Sequence, residues 1–145
     1  MTDKKASAEL LRETNAGIKM GVSSLGGIMG DVESDDLRRV IRESKLEHDR
    51  LGGEAHKLLD LYGSDTKEPH PVAKAMSTVK TAVKMAADRS DQTAAELITD
   101  GCAMGIRSLN HYLNVYKSAS PDVIDLTKRV IRSEEQLIND VKGYL

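Results

Sequence analysis

The sequence predicts an all-α fold, a bundle of four long helices with one extra short helix between the second and the third. Three observations lead there. Apolar and small residues recur every three or four positions over five separate stretches, the period of a helix with one buried face. Gly, Pro and Ser/Asp clusters stand between those stretches, where helices start and stop. The apolar palette is Leu, Ile, Val, Met and Ala: hydrophobic residues make up 39% of the 145, aromatics only 3%, with no Trp and no Phe. That palette suits the interior of a helical bundle better than that of a β-sandwich.

The first helix is expected over about residues 5–30, with Leu11, Thr14, Ile18, Gly21, Leu25 and Met29 on one stripe. Gly26-Gly27 is the place where it would kink or end. The second, about 34–62, has Ser34 as N-cap, Asp35 and Asp36 complementing the helix dipole, and Gly63 as a stop. Its stripe runs Leu37, Ile41, Ser44, His48, Leu51, Ala55, Leu58, Tyr62, and His48 interrupts it at the centre. A loop follows at 64–71, because prolines on both sides of His70 cannot continue a helix. Pro71 then opens a short helix over about 71–87 carrying Val72, Met76, Val79, Val83 and Ala86.

The stretch from Asp91 to Lys117 is the third long helix and the one around which the others are arranged. Ala94, Ile98, Gly101, Gly105, Ser108, Tyr112 and Tyr116 form its smooth face. Gly101 and Gly105 cost about 1 kcal/mol each in a helix relative to Ala, a cost usually offset where a neighbouring backbone comes close. Ser120 as cap and Pro121 at the first helical position start the last helix, about 121–144, with Val123, Thr127, Val130, Glu134, Leu137, Val141 and Tyr144 inward. Glu134 is its polar exception.

The short helix decides the topology. Its roughly 16 residues cover about 24 Å, most of a bundle's length, so it returns the chain to its starting end and makes the second and third long helices parallel. That is the crossover of ferritin-like folds. In that arrangement the first and third long helices are neighbours. The Gly17/Gly21 face is then expected near Gly101/Gly105, and Gly101→Leu is expected to destabilise by overpacking, about 1–3 kcal/mol.

The segments HPVAKAMSTVKTAVKM (70–85), DQTAAELITDGCAMGIRSL (91–109) and NAGIKMG (15–21) resemble a family of small ferritin-like helical-bundle proteins found mainly in anaerobic bacteria. The resemblance covers most of the chain and implies the fold. Its motifs are rich in packing residues and carry no established activity.

Composition argues several functions down. A net charge of −2 provides no long-range field to recruit nucleic acid or an anionic membrane. The basic groups Arg38, Arg39, Arg42, Lys45 and Lys128, Arg129, Arg132 lie among acids and lack stacking aromatics, so they read as solvated faces. The longest uncharged run in the glycine-rich region, Met20–Gly30, is too short for a membrane span of about 20 residues. The single cysteine, Cys102, excludes an intramolecular disulfide and fits a reducing cytoplasm, where a buried inert thiol is its ordinary state. No glycine-rich loop follows a strand to hold a phosphate. His70 reads as an exposed turn residue and His111 as a surface or boundary one.

Carboxylate metal sites in bundles take a Glu from each of two helices and a Glu-x-x-His pair from each of the others. That pair does not occur in this chain: Glu47 and His48 are adjacent, pointing about 100° apart, and Glu54 and His56 have the wrong spacing. Glu96 and Asp100 stand one turn apart on the third long helix with nothing nearby to complete a set. A metal would need an assembled group such as Glu13, Glu47 or His48, Glu96 and Glu134. His48 and Glu134 are more simply a mid-bundle polar pair that fixes register.

Three functions are compatible with these readings. The expectation is a metal-free bundle, needing no cofactor, that acts as a structural or interaction protein and self-associates. The alternatives are a divergent carboxylate protein binding iron or manganese through Glu47, His48, Glu96 and Glu134 to handle iron or peroxide, and a module that binds a small apolar ligand in a gap of its aromatic-poor core.

Overall fold

The computed structural model describes residues 2–63 and 90–145. Every long element among them is an α-helix: α1 Asp3–Met29, α2 Asp35–Leu61, α3 Asp91–Val115 and α4 Pro121–Val141, with a final 3-10 turn Lys142–Tyr144. The expected short helix over 71–87, together with His70, lies outside the described residues.

Capping explains where the helices begin. Thr2, Ser34 and Ser90 each accept a hydrogen bond from the backbone N–H three residues on, satisfying a donor that the first turn leaves open. Ser120 departs from this pattern. It holds the extended N-cap backbone but makes no side-chain cap bond; its hydroxyl is engaged with Tyr62 and Asp122 instead. The Asp122 carboxylate accepts the Val123 N–H at 2.9 Å. Gly63, at φ +62°, supplies the left-handed residue that ends α2. Helix α1 runs unbroken through Gly26-Gly27.

Five hydrogen bonds fix the directions of the four rods. Asp91, at the start of α3, accepts the backbone N–H groups of Glu33 (2.9 Å) and Ser34 (3.1 Å), at the start of α2. Helices α2 and α3 therefore begin at one end of the bundle. Tyr62, at the end of α2, bonds Ser120 and Asp122 at the start of α4, and the Ser120 N–H donates to Ser7 Oγ (2.7 Å) near the start of α1. So α2 and α3 run in one direction and α1 and α4 in the other, and residues 63 and 90 lie at opposite ends. Antiparallel neighbours pack as α1 with α2 and α3 with α4, closed by α1 on α3 and α2 on α4, and of the two diagonals α1–α4 is the more closely packed.

That diagonal keeps a heptad register. Ser7 pairs with Ser120 and Thr14 with Thr127, each at an offset of 113 residues. The same offset takes Gly21 to Glu134 and Ile28 to Val141. Parallel helices that meet every seven residues hold one seam face to face over two turns at a time.

The buried stripes of α1, α2 and α4 are close to those the periodicity predicts, but α3 is rotated from its expected face. Its buried residues are Thr93, Ala94, Ala95, Ile98, Cys102 and Leu109, while Gly101 and Ser108 are exposed. A Cβ built on Gly101 would meet nothing within 4 Å. The expected Gly101 contact with α1, and the overpacking of Gly101→Leu within the bundle, are corrected accordingly. Small residues lie on two sides of this helix, and cysteine, as apolar in practice as alanine, takes the inner one.

The core is divided in two. One cluster gathers Leu10, Leu11, Ile18, Leu51, Leu126 and Val130 with their neighbours; the other gathers Leu25, Ile28, Leu37, Ile41, Ile98 and Leu137 with theirs. In the sequence of every helix the gap between the clusters falls at the same level, and a polar layer fills it.

Candidate functional site

The layer between the two cores is made by one residue from each helix: Gly21 on α1, His48 on α2, Gly105 on α3 and Glu134 on α4. His48 is 1% exposed and Glu134 7%. The imidazole occupies the space beside Gly21, where a Cβ would stand 3.0 Å from His48 Cδ2 and 3.2 Å from Nε2. The carboxylate occupies the space beside Gly105, where a Cβ would lie 2.8 Å from both Glu134 oxygens. The glycines thus make room for polar side chains from the neighbouring helices. Gly17 is open by comparison, 3.9 Å from Leu109 Cδ2.

His48 is oriented by its own helix. Its Nδ1 lies 2.8 Å from the Ser44 carbonyl, an acceptor with no proton to give, so Nδ1 carries the hydrogen. Nε2 is left facing Glu134 Oε1 at 4.0 Å, beyond a direct hydrogen bond and at the edge of an ion pair. Burial is the largest influence on His48 and pulls its pKa down, but the Glu134 carboxylate and the Ser44 carbonyl together outweigh it, and the net shift is upward. A neutral ring with hydrogen on Nδ1 would point a lone pair at the carboxylate; the protonated ring points an N–H at it.

Glu134 is incompletely satisfied, since its Oε2 is buried without a hydrogen-bond partner among the described residues. Its charge reaches Cys102, the buried thiol on α3, where burial chiefly, and Glu134 secondarily, push the pKa up to about 12. Such a thiol is neutral at ordinary pH and a poor nucleophile.

A second polar contact lies two turns along the same seam. Thr14 and Thr127 are both fully buried with their hydroxyl oxygens 2.8 Å apart. Thr127 gives its proton to the Val123 carbonyl (2.9 Å), so Thr14 is the donor across the bundle. Asn15 beside it is also fully buried, and neither atom of its side-chain amide has a partner among the described residues. Asn15 flanks the stripe predicted for α1 by one position, so periodicity alone does not single it out.

Of the four candidate metal ligands, His48 and Glu134 face each other and the other two stand apart. Glu47 is turned to the surface, where Arg50 binds it at 2.6 Å and 3.0 Å and holds its carboxyl below the usual range. Glu96 is half-buried on α3, and Glu13 half-buried on α1. Among the described residues no group of three or more His, Cys, Asp or Glu stands close enough to share a metal ion.

The remaining candidates are surface features. His111 is exposed, its ring tilted against Tyr112 at 5.4 Å. In the first basic group Arg38 pairs with Asp35 and Arg39 with Asp36; in the second Arg129 pairs with Asp125 and, across the bundle, with Glu54 at 2.9 Å. An open hollow at the Thr2 end is lined by Lys4, Lys5, Tyr62 and Gly63, a surface depression and no gap in the apolar core. No described helix is long and apolar enough to cross a membrane. Compared with family models, curated proteins and solved structures, the chain matches none.

Proposed function

We propose that this chain is a ferritin-like bundle that acts as a structural or interaction protein, associating with copies of itself, and that its polar centre is a metal-free lock on helix register. One observation carries the reading. At the level where a carboxylate metal centre draws a ligand from each of four helices, α1 and α3 present Gly21 and Gly105, and the space is taken by His48 and Glu134. Two donors 4.0 Å apart, with Glu47 paired to Arg50 outside, do not make the donor set that iron or manganese in such a site requires. The parallel course of α2 and α3, set by Asp91 at one end and Tyr62 at the other, supports the ferritin-like topology.

A buried charged pair is a poor source of stability but an effective constraint on register, because any slip leaves a charge buried alone. A one-residue slip of α4 would carry Glu134 off Gly105 and away from His48, into apolar surroundings. The test is the metal content of protein purified from cells supplied with iron and manganese, together with its native mass. Metal below one-tenth equivalent in an oligomeric protein is the expected result; stoichiometric iron or manganese lost on Glu134→Gln would overturn the reading in favour of the metalloprotein.

A further inference from the structure

The surface of α3 that faces away from the other described helices carries a pattern those helices do not use. Leu97, Gly101, Met104, Ser108, His111 and Val115 follow one another at alternating spacings of four and three, the repeat of a two-helix seam. Leu97 is half-buried and the other five are exposed, Met104 at 61% and Val115 at 51%. From Gly101 to Tyr116 the one Asp, Glu, Lys or Arg is Arg107, whereas the exposed positions of α2 are mostly charged. A helix face that meets only water has no reason to exclude charge over four turns.

The same face is complementary to itself when turned end for end. In an antiparallel pairing of two such helices, centred between Gly101 and Met104, Gly101 of each copy faces Met104 of the other and Ser108 faces Leu97, small against large. Asp100 and Arg107 lie one heptad apart on the same flank of the seam, both exposed. In antiparallel helix pairs residues on that flank face their own counterparts across the two-fold axis, so Asp100 of each copy meets Arg107 of the other. Shape and charge thus match in one register. We infer that a second copy of this chain docks here, α3 against α3 in antiparallel orientation, forming a closed two-fold dimer. In that register the stretch the two copies share runs from Leu97 to Ser108, about 17 Å.

This inference rests on the self-association proposed above and adds the surface that performs it. The experiment is sedimentation equilibrium of the full chain over a range of concentrations, with helicity followed by circular dichroism. Wild type is expected to have twice the chain mass. Asp100→Arg and Arg107→Asp, each bringing like charges together, are expected to weaken association by about tenfold or more; the double swap Asp100→Arg with Arg107→Asp restores it, and Met104→Glu abolishes it without loss of helix. An oligomeric wild type indifferent to all four variants would overturn this surface while leaving self-association standing. A wild type that stays monomeric at every concentration would overturn both.

Discussion

The ring of His48 stands where a side chain on Gly21 would have to be, with Cδ2 3.0 Å from the position of the missing Cβ. The ring cannot retreat easily, since its Nδ1 is held by the Ser44 carbonyl. Gly21→Ala is therefore expected to lower stability by about 1–2 kcal/mol, the strain of overpacking exceeding the gain in helix propensity. Gly53→Ala is the control: a Cβ there meets nothing within 4 Å, and about 0.5–1 kcal/mol of stabilisation is expected. Urea denaturation of the two variants checks the contrast, and equal behaviour would mean that the glycine at position 21 makes no room for the ring.

Removing one partner of the buried pair strands the other. Glu134→Leu, which leaves the His48 ring facing no acid, is expected to cost about 3–5 kcal/mol, whereas His48→Leu combined with Glu134→Met replaces the pair by apolar volume and is expected to be neutral or stabilising by about 1–4 kcal/mol. If the pair fixes register, the double variant gains melting temperature while its side-chain NMR spectrum broadens. A sharp, fully dispersed spectrum from that variant would remove the register role.

The pair also sets a pH dependence. His48 has a folded pKa above its ordinary 6.5, raised by Glu134 and Ser44 against the effect of burial. The acid facing it is Glu134 across the layer, and Glu47 on its own helix acts only as a nearby charge from the surface; Gly21 and Gly105 bring no charge. The folded state thus holds a proton that the unfolded chain has already released, so this stabilisation is complete below about pH 6.5 and is lost as pH rises through the folded pKa. Stability measured from pH 6 to 9 is expected to fall in wild type and to flatten in Glu134→Gln. An NMR titration of His48 in that variant should show its pKa lowered.

Cys102 reports on opening of the bundle. With its pKa near 12 against an ordinary 9.0, the folded thiol reacts negligibly at pH 8, so labelling by a disulfide reagent is expected to proceed only at the rate of opening and to accelerate with denaturant. Prompt labelling in native buffer would contradict the burial. By the same linkage the folded state loses stability from Cys102 as pH rises above about 9.

Thr14→Val is expected to cost about 1 kcal/mol, the worth of one net hydrogen bond, because Thr127 keeps its bond to the Val123 carbonyl. Thr127→Val is expected to cost more, up to about 3 kcal/mol, since it leaves the Thr14 hydroxyl buried without an acceptor. Thermal unfolding of the two single variants and the double one forms a cycle, and strict additivity would mean that the 2.8 Å contact contributes nothing to stability.

The sequence alone determined the number, limits and inward faces of most of the long helices. Those follow from period, capping and turn residues, which act within a few positions of one another: Ser34 caps α2 and Gly63 ends it as expected, and His48 and Glu134 stand out because each breaks an apolar stripe. What required the tertiary structure was the rotation of α3 and what fills the space beside each glycine. Periodicity could not choose between the two small-residue sides of α3, since glycine, alanine, serine and cysteine differ too little in hydrophobicity to set its rotation. Nor could it show that Gly21 and Gly105 yield their space to His48 and Glu134. A glycine looks the same in a sequence whether it admits a backbone, a ring or nothing, and only packing at interior density decides which of them comes close.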